Sequence, residues 1–302
     1  MIPLDAPVLR WIEAAVGPGA KIVAVHEMPP SATQKHAVDV ESAAGTIVPL
    51  VLQRFHDAGR LRSDPWYLPA NEAAVLAMLE ETEVPAPSLF AADLGPEVSV
   101  VPTILMSRLP GRSLWAPADG IDRNRFLRRS AEVLVSIHAR GVSPDAFPSY
   151  EPYFRDEELH VPVWAGDPSV WERAIDIATA SLPASPRSFI HRDYHGGNVM
   201  WNERDIAGVV DWTTGCWGPP GIDLARMRVN LIDLMDRAAA DGFLDDYRAA
   251  GGAPGHHDPR WDLIDLVDFV VVGSEPPEDA AEAASLARLE SFAADALASL
   301  AG

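Results

Sequence analysis

Three side chains stand at a spacing that suits one kind of reaction. Asp193 is followed five positions later by Asn198 and eighteen positions later by Asp211. They lie in Ile190-His191-Arg192-Asp193-Tyr194-His195-Gly196-Gly197-Asn198-Val199-Met200 and Gly208-Val209-Val210-Asp211-Trp212-Thr213. A carboxylate beside an alcohol can accept its proton and hold the oxygen in line with a γ-phosphorus. An Asn amide oxygen and a second Asp carboxylate are hard ligands suited to Mg²⁺, which fills its remaining positions with phosphate oxygens and water. Loops that transfer a phosphoryl group read H-R-D, four residues, then Asn, with a metal-binding Asp further on. Taken singly, such an Asp or Asn is usually a turn or cap residue. The three together, in this order, point to phosphoryl transfer from a metal-bound nucleotide.

His191 and His195 flank Asp193, and the trio also reads as the ligand set of a metallohydrolase. No further cluster at ligand spacing reinforces that reading, and His256-His257 falls in a predicted surface loop. His191 and His138 are expected to be structural. Gly196-Gly197 would let the backbone turn tightly before Asn198.

The elements that must hold these residues follow from pattern. Asp5 caps a predicted helix ending at Val16, stopped by Gly17-Pro18-Gly19. Strand-like runs follow at 22–25, 36–41 and 46–55, which predict a small antiparallel sheet. A helix is predicted from about Asn71 to Glu83, then a strand pair at 98–101 and 103–107, then Leu109-Pro110-Gly111 as a connector. Helix patterns dominate the rest: 122–139, 170–181, 222–238, 242–249, 259–272 and 279–300. Short strands at 189–190, 199–201 and 206–210 carry the site loops, and 142–168 reads as irregular. The expected fold is α+β: a small antiparallel sheet lobe over 1–107 and a larger, mostly helical lobe over 108–302 that carries the charged loops, with a ligand cleft expected between two such lobes.

The 302 residues include 48% hydrophobic and 23% charged side chains, which predicts a packed core rather than disorder. The net charge of −20 is uneven. Residues 1–150 carry 13 basic and 17 acidic side chains, a net of −4; residues 151–302 carry 11 and 27, a net of −16. That balance disfavours nucleic acid and anionic membrane as partners, and is compatible with a cationic small substrate or simply with a solvated acidic surface. Cys216 is the only cysteine, so no internal disulfide is expected. The start, Met1 to Asp5, lacks the basic flank and apolar run of a secretory leader, and no stretch is long and apolar enough to span a bilayer. A cytoplasmic location is the expectation. Oligomeric state is not legible.

The chain resembles the aminoglycoside phosphotransferase-like family, small-molecule kinases of the protein-kinase-like fold. The resemblance rests on His191-Arg192-Asp193-Tyr194-His195-Gly196-Gly197-Asn198-Val199, on Val209-Val210-Asp211-Trp212, and on Gly218-Pro219-Pro220-Gly221-Ile222-Asp223-Leu224-Ala225. Asn71-Glu72-Ala73-Ala74-Val75-Leu76 and Leu105-Met106-Ser107-Arg108-Leu109-Pro110-Gly111 extend it. It implies Asp193 as catalytic base, Asn198 and Asp211 as metal ligands, and Glu72 as a helix glutamate paired with a basic residue on the 46–55 strand. It further implies main-chain groups near Met106 against the adenine and Asp223 as an acid supporting the catalytic loop. Mg²⁺ and ATP, or GTP, are the implied cofactors, with a small-molecule hydroxyl as acceptor.

Two departures stand out. The turn expected to cover the phosphates, Pro29-Pro30-Ser31-Ala32-Thr33-Gln34, holds no glycine. Family register places Gln53 where a Lys or Arg is expected, and the only lysines, Lys21 and Lys35, lie off that strand. Gln53 and Arg54 point to opposite faces of a strand, so only one can enter the site. Because the phosphates call for a cation, Arg54 is the expected contact. The departures keep a second reading open, a degenerate kinase-like protein that binds nucleotide or ligand without turnover.

Overall fold

A computed structural model describes residues 4–301 apart from 96, 119, 157, 204, 273 and 274; Met1, Ile2 and Pro3, part of the start expected to lack a leader, lie outside the described residues. The chain divides into two compact units, Met1–Gly111 with Ala207–Thr214, and Arg112–Ile206 with Gly215–Gly302.

The first unit is a five-stranded sheet with helix α1 (Ala6–Val16) against one face. Asp5 caps α1 by accepting from the Val8 N–H, as its position before an apolar-periodic run predicts. Strands β1 (Lys21–Glu27), β2 (Gln34–Glu41) and β3 (Ile47–Arg54) form an antiparallel meander. Helix α2 (Pro69–Leu79) follows, then β4 (Leu89–Asp93) and β5 (Thr103–Ser107), giving the order β1-β2-β3-β5-β4. Alternation decides the faces: Val38, Val40, Leu50, Leu52 and Leu105 turn inward on Val8 and Ile12 of α1. Residues one position away in β2 and β3, among them Lys35 and Gln53, point to the other face.

The strand expected at 98–101 is corrected: β4, not this segment, pairs with β5. The run is bent by a carboxylate. Asp93 accepts from the N–H groups of Glu97, Val98 and Ser99 at 2.8, 2.9 and 2.7 Å, so these donors are turned out of any ladder.

The second unit is mainly helical: α3 (Arg123–His138), α4 (Pro168–Thr179), α5 (Pro220–Leu234), α6 (Arg237–Ala249), α7 (Pro259–Leu266) and α8 (Ala280–Ser299). The helix expected over 222–238 ends at Leu234, because Asp236 caps a new one by accepting from the Ala239 N–H. The one expected over 259–272 closes as a π turn at Val267–Val271. Helix α5 is buried nearly all round and is packed by α6, α7 and α8. Its buried cation Arg228 is held by Asp262 at 3.1 Å and by the Ala240 carbonyl at 2.9 Å. Among the described residues no helix is long and apolar enough to cross a membrane.

Candidate active site

The site residues of the second unit sit on a loop between two short strands, Ser188–Ile190 and Val199–Trp201. Ser188–Ile190 pairs antiparallel with Cys216–Gly218, directly ahead of α5. Asp223, in the first turn of α5, is completely buried and takes the loop by its main chain. Its two carboxylate oxygens accept from the N–H groups of His191 (2.8 Å) and Arg192 (2.6 Å). His138 Nε2 lies 3.0 Å from the same carboxylate, and its Nδ1 lies 2.7 Å from the Tyr247 hydroxyl. That hydroxyl in turn lies 2.6 Å from His256 Nδ1. His256, expected in a surface loop, instead closes a partly buried chain of hydrogen bonds behind the loop.

Arg192 adopts φ +73°, a left-handed conformation that costs a non-glycine residue energy and persists only where the surroundings enforce it. Asp223 supplies that enforcement on the backbone. The side chain is fixed too, by a bond from Nη2 to the Glu151 carbonyl (2.5 Å) and by the Tyr153 ring, 3.5 Å from its guanidinium carbon.

Asp193 and Asn198 come together. Asn198 Nδ2 donates to the Asp193 carbonyl at 2.9 Å and to its carboxylate Oδ2 at 3.3 Å. With the amide nitrogen so engaged, its oxygen is the end offered elsewhere. Arg226 Nε lies 3.5 Å from Asp193 Oδ1, and His195 Nε2 lies 3.4 Å from Oδ2. Burial by itself would raise the Asp193 pKa, but the His195 hydrogen bond and the charges of Arg226, His195 and His191 outweigh it. The carboxylate is held well below its usual range, with a third of the side chain exposed.

The two glycines are required by close approach. A Cβ on Gly196 would lie 2.4 Å from the Leu114 carbonyl oxygen, and one on Gly197 2.4 Å from the Trp115 indole. The backbone does turn tightly here, in a 3-10 turn over Gly196–Asn198, but neither glycine has a positive φ, so the close approach is what demands glycine. Trp115 stacks on His195 with ring centroids 4.6 Å apart and planes 10° apart, and the Gly197 N–H bonds His195 Nδ1 at 3.0 Å.

In the first unit, Asp211 adopts φ +65°, a second enforced left-handed residue. Its segment is tied down by Val209 N–H to the Pro85 carbonyl (2.8 Å) and by Asn71 Nδ2 to the Thr213 carbonyl (2.9 Å). The Thr213 hydroxyl lies 3.1 Å from both Asp211 Oδ1 and Glu72 Oε2; its single hydrogen serves one of them at a time. Gln53 Nε2 donates to Glu72 Oε2 at 2.8 Å. Burial, followed by the nearby Asp211, pushes the Glu72 carboxyl up to about 7, against the opposing pull of Lys35 and the Thr213 hydrogen bond.

Arg54 does not join this group, which corrects the expected register. It lies on the α1 face of β3, where Nη2 donates to Ser99 Oγ at 3.1 Å and burial lowers its pKa. Gln53 is the residue that reaches Glu72. Met106 lies in β5 between Val51 and Leu89 with its side chain buried. The next two N–H groups are used within the unit, Ser107 to the Ser88 carbonyl and Arg108 to the Pro49 carbonyl, both at 2.9 Å. Thr213, Arg226 and Trp115 are site residues that sequence reasoning did not single out. Thr213 was reachable, standing two positions beyond Asp211; the others are joined only by the fold.

Asn198 Oδ1 in the second unit and the Asp211 carboxylate in the first are each a hard oxygen donor oriented by a neighbour within its own unit, the chemistry that a divalent cation such as magnesium prefers. Among the described residues no cluster of three His, Cys, Asp or Glu side chains could hold a metal ion, so the zinc-hydrolase ligand set is not assembled.

Residues 35–264 match the phosphotransferase enzyme family, and the chain belongs to it. One curated relative is the N-acetylmuramate/N-acetylglucosamine kinase of Pseudomonas putida, 26% identical over 107 residues, or 34% of this chain. The match spans 31% of that relative's length. Among solved structures, a Ralstonia eutropha protein with a provisional assignment as an aminoglycoside phosphotransferase superposes with a TM-score of 0.65 at 16% identity, covering 96% of this chain and 97% of the other. The aminoglycoside phosphotransferase APH(4)-Ia, solved with ADP and hygromycin B, gives 0.60 at 14% identity, covering 96% and 98%. At such identities the structural likeness speaks for the fold: two-lobe, α+β and protein-kinase-like.

Proposed function

We propose that the protein transfers the γ-phosphoryl group of ATP, or GTP, to a hydroxyl of a small molecule. The observation that carries this is the setting of Asp193. It is ionised, partly exposed, bonded to Asn198, and mounted on a loop whose main chain is locked by a buried acid. Asp193 orients the hydroxyl and takes the proton late, which suits a loose phosphoryl-transfer transition state. Asn198 Oδ1 and Asp211 are the proposed magnesium ligands; bound magnesium would neutralise charge on the nucleotide's phosphates. Thr213 Oγ1 lies within hydrogen-bond reach of Asp211 Oδ1, and its one hydrogen is shared in turn with Glu72. An amino-sugar antibiotic is one acceptor class that suits the acidic second half of the chain, and a neutral sugar or other alcohol suits the same chemistry.

Incubation with ATP, Mg²⁺ and a panel of hydroxylated antibiotics, sugars and metabolite alcohols, read by product mass, tests the proposal. Asp193→Asn is expected to lower kcat by about two to four powers of ten with the fold intact. Transfer at full rate in both Asp193→Asn and Asp211→Asn sinks the assignment. The second reading, binding without turnover, draws on the neutral Gln53 amide that meets Glu72 where a cation is expected. Mg²⁺-dependent nucleotide binding with no transfer across the panel would favour it.

A further inference from the structure

The strand that carries Gln53 offers no cation on the face shared with Glu72, because Arg54 turns to the α1 face. The neighbouring strand does. In the β2–β3 ladder Lys35 stands directly opposite Gln53, and cross-strand partners share a face with Cβ atoms about 5 Å apart. A lysine stem is long enough to carry its ammonium past the Gln53 amide. Lys35 is half-buried, and its charge acts on Glu72 in opposition to burial. Among the described residues its ammonium is in no ion pair. Arg108 is the contrasting case, its Nη2 bonded to Asp39 at 2.6 Å. Lys35 also lines a cavity of about 200 Å³ beneath the β1–β2 turn, together with Pro29, Pro30, Ser31 and Thr33. The turn that lacks glycine thus has a cation at its base.

From this juxtaposition we infer that Lys35 on β2 is the residue that grips the nucleotide's phosphates, with Gln53 as the neutral bridge to Glu72. The inference rests on the phosphotransfer reading and deepens it. It makes the absence of a basic residue at position 53 a relocation of charge by one strand, not a loss of function.

Calorimetric titration with Mg·ATP and with adenosine tests it. Lys35→Ala is expected to weaken Mg·ATP binding by about ten- to a hundredfold, the loss of one charge-assisted contact, and to leave adenosine binding unchanged. Adding Gln53→Lys to Lys35→Ala should restore much of the Mg·ATP affinity, while Lys21→Ala should have no effect. Unchanged Mg·ATP binding in Lys35→Ala overturns the inference, as does an equal loss for adenosine, which would mark a purely structural role. If the unaltered protein binds neither ligand, the phosphotransfer reading fails first and takes the inference with it. A measurement on the unaltered chain guards against misfolded variants. Lys35 and Lys21 are its only lysines, so acetylation followed by mass analysis reports both. Saturating Mg·ATP should protect Lys35 and leave the labelling of Lys21 unchanged; equal labelling of Lys35 with and without bound nucleotide overturns the assignment.

Discussion

Asp223 has no surface to offer a substrate, yet two main-chain N–H groups and one imidazole converge on it. Replacing it by Ala would strand those donors in the interior and release the left-handed Arg192. Loss of a buried, multiply bonded carboxylate costs about 3–5 kcal/mol. Asp223→Ala is therefore expected to lose that much in urea unfolding, and a loss below about 1 kcal/mol would show that the loop holds itself. The residues of this loop were legible because their chemistry lies within a few positions of one another. Lys35 and Arg54 were not, since their roles depend on strand register, and a shift of one residue exchanges the two faces. Chemistry asked for a cation on β3; the fold placed one on β2 and turned Arg54 toward Ser99.

Buried Arg226 on α5 faces three acids: Asp193 on its loop, Asp265 on α7 and Asp268 just beyond α7. Arg226 Nε lies 3.1 Å from Asp265 Oδ1 and 3.5 Å from Asp193 Oδ1, and the charge of Asp268 also acts on it. The ion pair favours ionised Asp265 and raises the Arg226 pKa, but burial and the neighbouring carboxylates prevail, pushing Asp265 up to about 7. Burial likewise brings Asp268 to about 6. Arg226, with the charge of Arg192 also acting on Asp268, does not offset the burial and mutual repulsion of these carboxyls, so both Asp265 and Asp268 shift upward. A carboxyl whose folded pKa exceeds its unfolded value near 4 stabilises the fold below that value and loses the contribution as pH rises through the folded pKa. Thermal stability should therefore fall between about pH 4 and pH 7 on account of this cluster. Asp265→Asn should gain in Tm relative to the unaltered chain from pH 5 to pH 8; a constant difference across that range would place the proton elsewhere. At this scale the cap on α1 was readable from Asp5, whereas the α5–α6 break was not, because the apolar pattern runs on past Leu234 and only the Asp236 cap interrupts it. The strand at 89–93 was missed because Val98–Val101 has the stronger β-branched pattern, and what disqualifies that run is the local grip of Asp93, a few residues upstream, on its N–H groups.

For the molecule as a whole, the excess of 44 acidic over 24 basic side chains sets two salt effects against each other. Surface pairs such as Arg237 with Asp241 and Asp295, and Arg60 with Asp64, lose strength as salt screens them. Exposed pairs of this kind contribute about 0–1 kcal/mol each, and salt removes only part of that. Self-repulsion of a −20 chain acts between all the unpaired acids at once, and it is long-ranged when the Debye length is about 30 Å, as at 10 mM salt. At 0.3 M that length shrinks below the spacing of most surface charges, and the compact state is relieved more than the unfolded chain, which can spread its charges. Relief of repulsion outweighs the weakened pairing, so Tm at pH 7.5 should rise by a few degrees between 10 mM and 0.3 M NaCl, followed by calorimetry. A fall over the same range would mean that the paired charges dominate, and would move the explanation of the acidic composition from solvation to specific ion pairing.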